Sequence, residues 1–140
     1  MTDIPTRPFR AEHLAALLVI ALGGALGTLL RYGVSRWIHV ANDGFPWATF
    51  WTNISGAFLL GWFGAVYFER AAGRRYARPF FAIGFLGAFT TFSTMAVETV
   101  TLVKDGHAVL GIGYSCISVA AGLVVAYAGV VAGRRTAPRC

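Results

Sequence analysis

Charge is scarce in this sequence of 140 residues: 13% of positions are Asp, Glu, Lys or Arg, while 56% are hydrophobic. Soluble domains carry about 25% charged residues, so the composition excludes an ordinary soluble fold. Thiols are scarcer still. Of the two cysteines, Cys116 sits inside an apolar run and Cys140 is the final residue, which leaves neither a disulfide framework nor metal-ligand spacing. The three histidines, His13, His39 and His107, fall at or near the ends of apolar runs, where solvated imidazole is the ordinary outcome. Those runs contain no serine–histidine or cysteine–histidine arrangement and one deep carboxylate, Glu98, and the chain has no phosphate-binding loop. The sequence gives no support to an enzyme.

Acidic residues are outnumbered: twelve Lys and Arg against six Asp and Glu give a net charge of +6. In a soluble protein that excess would suggest nucleic acid. Here the basic residues lie in links and ends, too few to build a nucleic-acid module, and positive-inside topology with anionic lipid headgroups accounts for them. No nucleic-acid partner is expected.

Four long apolar runs are present, at about 14–37, 45–68, 80–103 and 108–132. Each meets the roughly 20 residues that a membrane-crossing helix requires. The first has no small-residue cleavage site, so it reads as a retained span and not as a signal peptide. The links, 39–44, 69–79 and 104–107, are short enough to force neighbouring helices antiparallel. The expected fold is an all-α integral membrane protein, residues 1–140 forming a single four-span domain. With an even number of spans, the N-terminus, the second link and the C-terminus share one side. Arg7, Arg10, Arg70, Arg74, Arg75, Arg78, Arg134, Arg135 and Arg139 lie there, against Arg36 and Lys104 on the other. The positive-inside rule makes the arginine-rich side cytoplasmic. Small residues at helix-packing spacing, Gly23 with Gly27, Gly56 with Gly61 and Ser118 with Gly122, predict close helix contacts and a tightly packed bundle.

The third run is written unlike a membrane helix. From Gly84 to Glu98 it reads GFLGAFTTFSTMAVE, with glycine, hydroxyls and phenylalanine in place of leucine. Glycine and β-branched threonine are weak helix formers, and Ser and Thr side chains compete for backbone hydrogen bonds. This segment is predicted to break. Broken backbone at membrane depth is tolerated where it is buried in protein or lines a water-filled path.

Other polar residues in the runs carry a structural and a functional reading. Arg31 either snorkels to the nearer interface or sets a positive potential at a vestibule. Asn53 either ties helices together or faces a permeant species, and Thr49, Thr52 and Ser55 shift it toward a wet face. Tyr114 and Ser118 are four apart on one face of the fourth run. Thr90, Thr91, Ser93 and Thr94 crowd the third, with Glu98 one turn beyond. Singly, such hydroxyls back-bond to the preceding turn. Together they can form a polar track that replaces a small ion's hydration. Phe89 and Phe92 either pack or point ring edges at an anion.

The stretch 84–94, GFLGAFTTFST, resembles the third-helix signature of the Fluc/CrcB family of fluoride channels. Residues 23–32, GGALGTLLRY, resemble its first-helix motif and 49–61, TFWTNISGAFLLG, its second; Tyr114 with Ser118 resembles polar positions of its fourth. The resemblance covers nearly the whole chain. It implies a passive, fluoride-selective channel in the cell inner membrane that exports toxic cytoplasmic fluoride. It also implies an antiparallel dimer of four-helix subunits, with two pores along the interface and a structural, non-transported sodium ion where the broken third helices cross. Backbone carbonyls of Gly87 and Thr90 would hold that sodium. Asn53, Phe92, Thr94, Glu98, Tyr114 and Ser118 would line the fluoride path, with Arg31 in the vestibule. Met95 stands where the family carries a second pore phenylalanine, replacing a ring edge by a polarizable thioether. The nine-to-two loop-charge bias is unlike a subunit that inserts both ways. An antiparallel homodimer and a heterodimer with an oppositely oriented paralogue are therefore both open. The alternatives to a channel are a small proton-coupled exporter using Glu98 and a non-transporting scaffold subunit.

Overall fold

The structure, a computed structural model, describes residues 11–38, 44–68 and 75–136, and every element among them is helical. Arg7, Arg10, His39, Arg70, Arg74, Arg139 and Cys140 lie outside the described residues. Helix α1 (Ala11–Trp37) leads to α2 (Trp47–Phe68). A π-helix (Pro79–Leu86) follows and runs directly into one turn of α-helix, α3 (Gly87–Phe89). Helix α4 (Phe92–Lys104) and the 29-residue α5 (Ala108–Thr136) complete the chain. Pro79 opens the π-helix, where its missing N–H is one that a helix start leaves unpaired anyway.

Among the described residues three helical stretches are long and apolar enough to cross a membrane: Glu12–Trp37 of α1, Pro79–Lys104 and α5. Four were expected from the sequence. Helix α2 has the length, 22 residues or about 33 Å, but Thr49, Thr52, Asn53 and Ser55 lower the apolarity of its first half.

Glycine decides how the helices meet. A Cβ on Gly23 or Gly27 would collide with the carbonyl oxygens of Phe80 and Phe85, and one on Gly84 would lie 2.5 Å from the Ile20 carbonyl. Helix α1 and the π-helix thus touch backbone to backbone. Helices α2 and α5 do the same, with Gly61 against Ala126, Gly129 against Phe58 and Gly133 against Trp62. Close backbone approach is how membrane helices gain packing where no hydrophobic effect drives them together. The expected pairing of Ser118 with Gly122 differs: Ser118 is buried, but a Cβ on Gly122 would meet nothing within 4 Å.

Two contacts tie the arginine-rich ends. Arg75 pairs with Glu12 at the start of α1, and the Trp62 indole N–H donates to Thr136 Oγ1 at 3.2 Å. At the other end α4 turns into α5 through Gly106, whose φ of 90° is a left-handed conformation suited to glycine. The His107 amide donates to the Leu102 carbonyl (2.8 Å) and the Gly106 amide to Val103 (3.2 Å), which caps α4 with a Schellman motif. Leucine, valine and isoleucine cover the outside, among them Leu29, Val109, Leu123 and Val124. The interior includes polar Thr49, Thr52, Thr91 and Ser118 alongside Leu86, Phe89, Met95, Leu102 and Tyr114.

Candidate functional site

Between α3 and α4 the backbone leaves the helix for two residues: Thr90 has φ −76°, ψ 153° and Thr91 has φ −149°, ψ 114°. Both threonines find local partners, Thr90 by the back-bond usual for helical hydroxyls and Thr91 by a cap. Thr90 Oγ1 donates to the Leu86 carbonyl at 2.9 Å. Thr91 is the N-cap of α4, its hydroxyl accepting from the Thr94 amide at 3.1 Å. The exposed peptide edge of Thr91 is taken by Asn53 on α2. The Thr91 amide donates to Asn53 Oδ1 (2.8 Å), and Asn53 Nδ2 donates back to the Thr91 carbonyl (3.0 Å). In a continuous helix the Thr91 amide would serve the Gly87 carbonyl. That carbonyl loses its helical donor here.

Beside the interruption lies a cavity of about 470 Å³, lined by Thr28, Arg31, Tyr32 and Ser35 of α1, Thr49 and Thr52 of α2, and Thr91, Thr94 and Glu98. Its walls are rich in hydroxyls. Thr91 Oγ1 donates to Thr94 Oγ1 at 2.9 Å and lies 3.2 Å from Ser93 Oγ. Arg31 Nη1 approaches Thr94 Oγ1 at a long 3.5 Å, and Arg31 Nε is buried with no hydrogen-bond partner. Glu98, one turn beyond Thr94, is held at both oxygens: Thr49 donates to Oε1 (2.7 Å) and Tyr114 to Oε2 (2.8 Å). One carboxylate therefore joins α2, α4 and α5. Tyr114 is 1% exposed, its ring meeting the edge of Phe45 at 5.2 Å between centroids.

Of the residues singled out in the sequence, Arg31, Asn53, Thr94, Glu98 and Tyr114 converge at or beside this cavity. Asn53 does so as a backbone clasp. Phe92 projects outward at 73% exposure, whereas Met95, three residues on, is buried at 5%. Phe89 is buried too, stacked on Phe85 with ring planes 7° apart. Ser118 is buried with Oγ unpartnered. Gly87 is exposed and Thr90 half-buried, at the two ends of the turn that precedes Thr91. Thr52 and Ser55 back-bond to Ala48 and Trp51, the ordinary fate of helical hydroxyls. Thr91 and Thr49 carry more than the sequence reading gave them. Their signals were a threonine three residues before Thr94, as an N-cap requires, and a hydroxyl one turn before Asn53. Among the described residues no three His, Cys, Asp or Glu side chains converge on a metal site. A cation bound here would depend on backbone and hydroxyl oxygen.

Residues 18–130 match the family described as CrcB-like protein, Camphor Resistance (CrcB). The chain is 43% identical over 111 residues to fluoride-specific ion channel FluC 1 of Mycolicibacterium paratuberculosis, covering 79% of this chain and 84% of that one. It is 42% identical over 113 residues to fluoride-specific ion channel FluC of Thermus thermophilus (80% and 88% covered). Over 131 residues it is 38% identical to FluC 1 of Streptomyces coelicolor (94% and 85% covered). With a family match over residues 18–130 and this extent of identity to its members, the chain belongs to the CrcB family.

Proposed function

We propose that this chain forms a passive, fluoride-selective channel that lets toxic cytoplasmic fluoride leave across the cell inner membrane. The observation that carries the reading is the cavity at the interrupted span, lined by hydroxyls and by Arg31, in a chain whose relatives are named fluoride-specific ion channels. Fluoride is small and strongly hydrated, so a path through hydrocarbon must replace its water with donors. Thr94 and the second N–H of Asn53 supply neutral donors, and Arg31 offsets the charge. Phe92, exposed beyond the interruption, presents a ring edge to the same path. Tyr114, Ser118, Met95 and Glu98 lie along its continuation between α4 and α5. No chemical step and no nucleotide is involved; the protein is not an enzyme.

The assembly is an antiparallel dimer of four-span subunits, α2 crossing despite its polar first half because that half faces the path. The exposed Gly87 and Phe92 beside the interruption support an interface there. The partner is a second copy or an oppositely oriented paralogue. The loop carbonyls fit a structural sodium ion: Gly87 has lost its amide donor to Asn53, Thr90 is extended, and carbonyl oxygen suits a hard cation. Bound at Gly87 and Thr90, sodium would supply a fixed positive charge and would not be transported.

The purified protein in liposomes loaded with fluoride tests this, read by a fluoride electrode. Fluoride efflux with chloride retained, and without a pH gradient, is expected. Equal retention of both ions, alone and with a co-expressed paralogue, overturns the reading. Exchange that needs a pH gradient and is lost in Glu98→Gln establishes the proton-coupled exporter instead.

A further inference from the structure

A second cavity, of about 290 Å³, opens between α2 and the π-helix, lined by Leu59, Trp62, Phe63, Phe81, Phe85 and Leu86. It offers no polar surface. Phe63 and Phe81 meet with centroids 5.3 Å apart at its floor. Leu59 and Phe81 stay more than a third exposed, so the groove opens outward. No ion and no polar solute gains from such a lining. A hydrocarbon chain does, and the groove is built on helices that lie among hydrocarbon chains.

One end of the groove is strongly basic. The Trp62 indole donates to Thr136, the residue after Arg134 and Arg135, both of which are exposed. Phe81 follows Pro79 at the start of the π-helix, next to Arg78 and Arg75. Among the described residues, the acidic side chain at this end, Glu12, is paired with Arg75. An apolar slot that runs into a cationic rim has the complementarity of a phospholipid with an anionic head.

We propose that this groove is a binding site for one acyl chain of an anionic phospholipid, its headgroup drawn to the arginine-rich end of the molecule that carries Arg134 and Arg135. It is separate from the fluoride path and stands whether or not the chain conducts. The rim arginines set the choice of lipid, and the aromatic floor sets the depth of the chain.

Trp62 reports on the site directly. In a variant with Trp37, Trp47 and Trp51 changed to Phe, Trp62 is the one tryptophan left. The protein is placed in vesicles containing phosphatidylglycerol or phosphatidylcholine brominated on the acyl chain, and Trp62 fluorescence is followed against mole fraction. Brominated phosphatidylglycerol should quench Trp62 with an apparent affinity about fivefold or more above that of phosphatidylcholine, since each arginine near the surface favours anionic lipid. Arg134→Gln with Arg135→Gln should bring the two curves together. If the triple variant does not fold, the difference in quenching between the natural protein and Trp62→Phe gives the same comparison. Equal quenching by both lipids, unmoved by the arginine changes, overturns the proposal in favour of ordinary surrounding lipid. Absence of quenching by either overturns it in favour of a groove covered by protein.

Discussion

The two ends of this subunit are held together by different chemistry, and the interruption at Thr90–Thr91 is where one gives way to the other. On the arginine-rich side, α1 meets the π-helix and α2 meets α5 through glycines placed against carbonyl oxygens. Phe63 of α2 meets Phe81 of the π-helix beside the apolar groove between them. On the other side, one glycine contact, Gly111 against Thr99, accompanies three sets of side-chain hydrogen bonds: Asn53 and Thr94 with Thr91, Thr49 and Tyr114 with Glu98, and Thr99 with Ser115. The first kind of contact tolerates no added atoms and asks nothing of polarity. The second costs desolvation and makes sense where water or an ion passes. Glycine packing here serves assembly, and on the proposed reading the hydroxyls serve passage.

That division predicts that variants on the two sides fail in different ways. The largest effect belongs to the glycine side. Gly27→Val drives a β-branched side chain into the Phe85 carbonyl, a backbone atom that cannot step aside. The loss should lie at or beyond the top of the roughly 1–3 kcal/mol range for overpacking. The variant should fail to give a monodisperse peak on size exclusion in mild detergent. If it is as stable as the natural protein, the backbone contact is not what holds α1.

Asn53→Ala sits on the boundary and should be intermediate. It leaves the amide and carbonyl of Thr91 without partners, at about 1–3 kcal/mol for each buried group. The protein should remain folded with a lower melting temperature, while fluoride efflux falls at least tenfold. A variant with a lowered melting temperature and unchanged efflux would make Asn53 a purely structural clasp. The smallest effect is expected at the far arginine-rich end. Glu12→Gln removes an exposed ion pair with Arg75, the kind that contributes little. Neither melting temperature nor efflux should change measurably. A clear loss would mean that this end, too, rests on charge.

Much of this was legible in the sequence, for a physical reason. Lipid demands long apolar runs, so the run at 80–103 lies within one residue at either end of the stretch Pro79–Lys104. The arginine-rich ends and the odd composition of residues 84–98 were equally visible. The position of the interruption within that stretch was not. Two threonines leave the helix, and it is Asn53, 38 residues away, that makes their departure affordable. A clasp between a side chain and a distant peptide leaves no periodic trace. The π-helix was illegible for a similar reason, since neither proline nor any residue of Pro79–Leu86 writes a widened turn. Met95 shows the opposite limit. The family resemblance put it beside Phe92 on one path; three residues apart they lie only about 60° apart around α4, yet the protein covers Met95 and leaves Phe92 exposed.

The Asn53 clasp has a mechanical consequence. A hinge needs a peptide whose bonds are weak or shared with water, so that it can rotate on demand. Thr91 is gripped at both its amide and its carbonyl by one planar side chain, and its hydroxyl is spent on the first turn of α4. To move it, three bonds must let go together. The middle of this protein is thus braced and not hinged. In the channel proposed above, such a brace would leave selection to fit and charge, with no moving part to keep time.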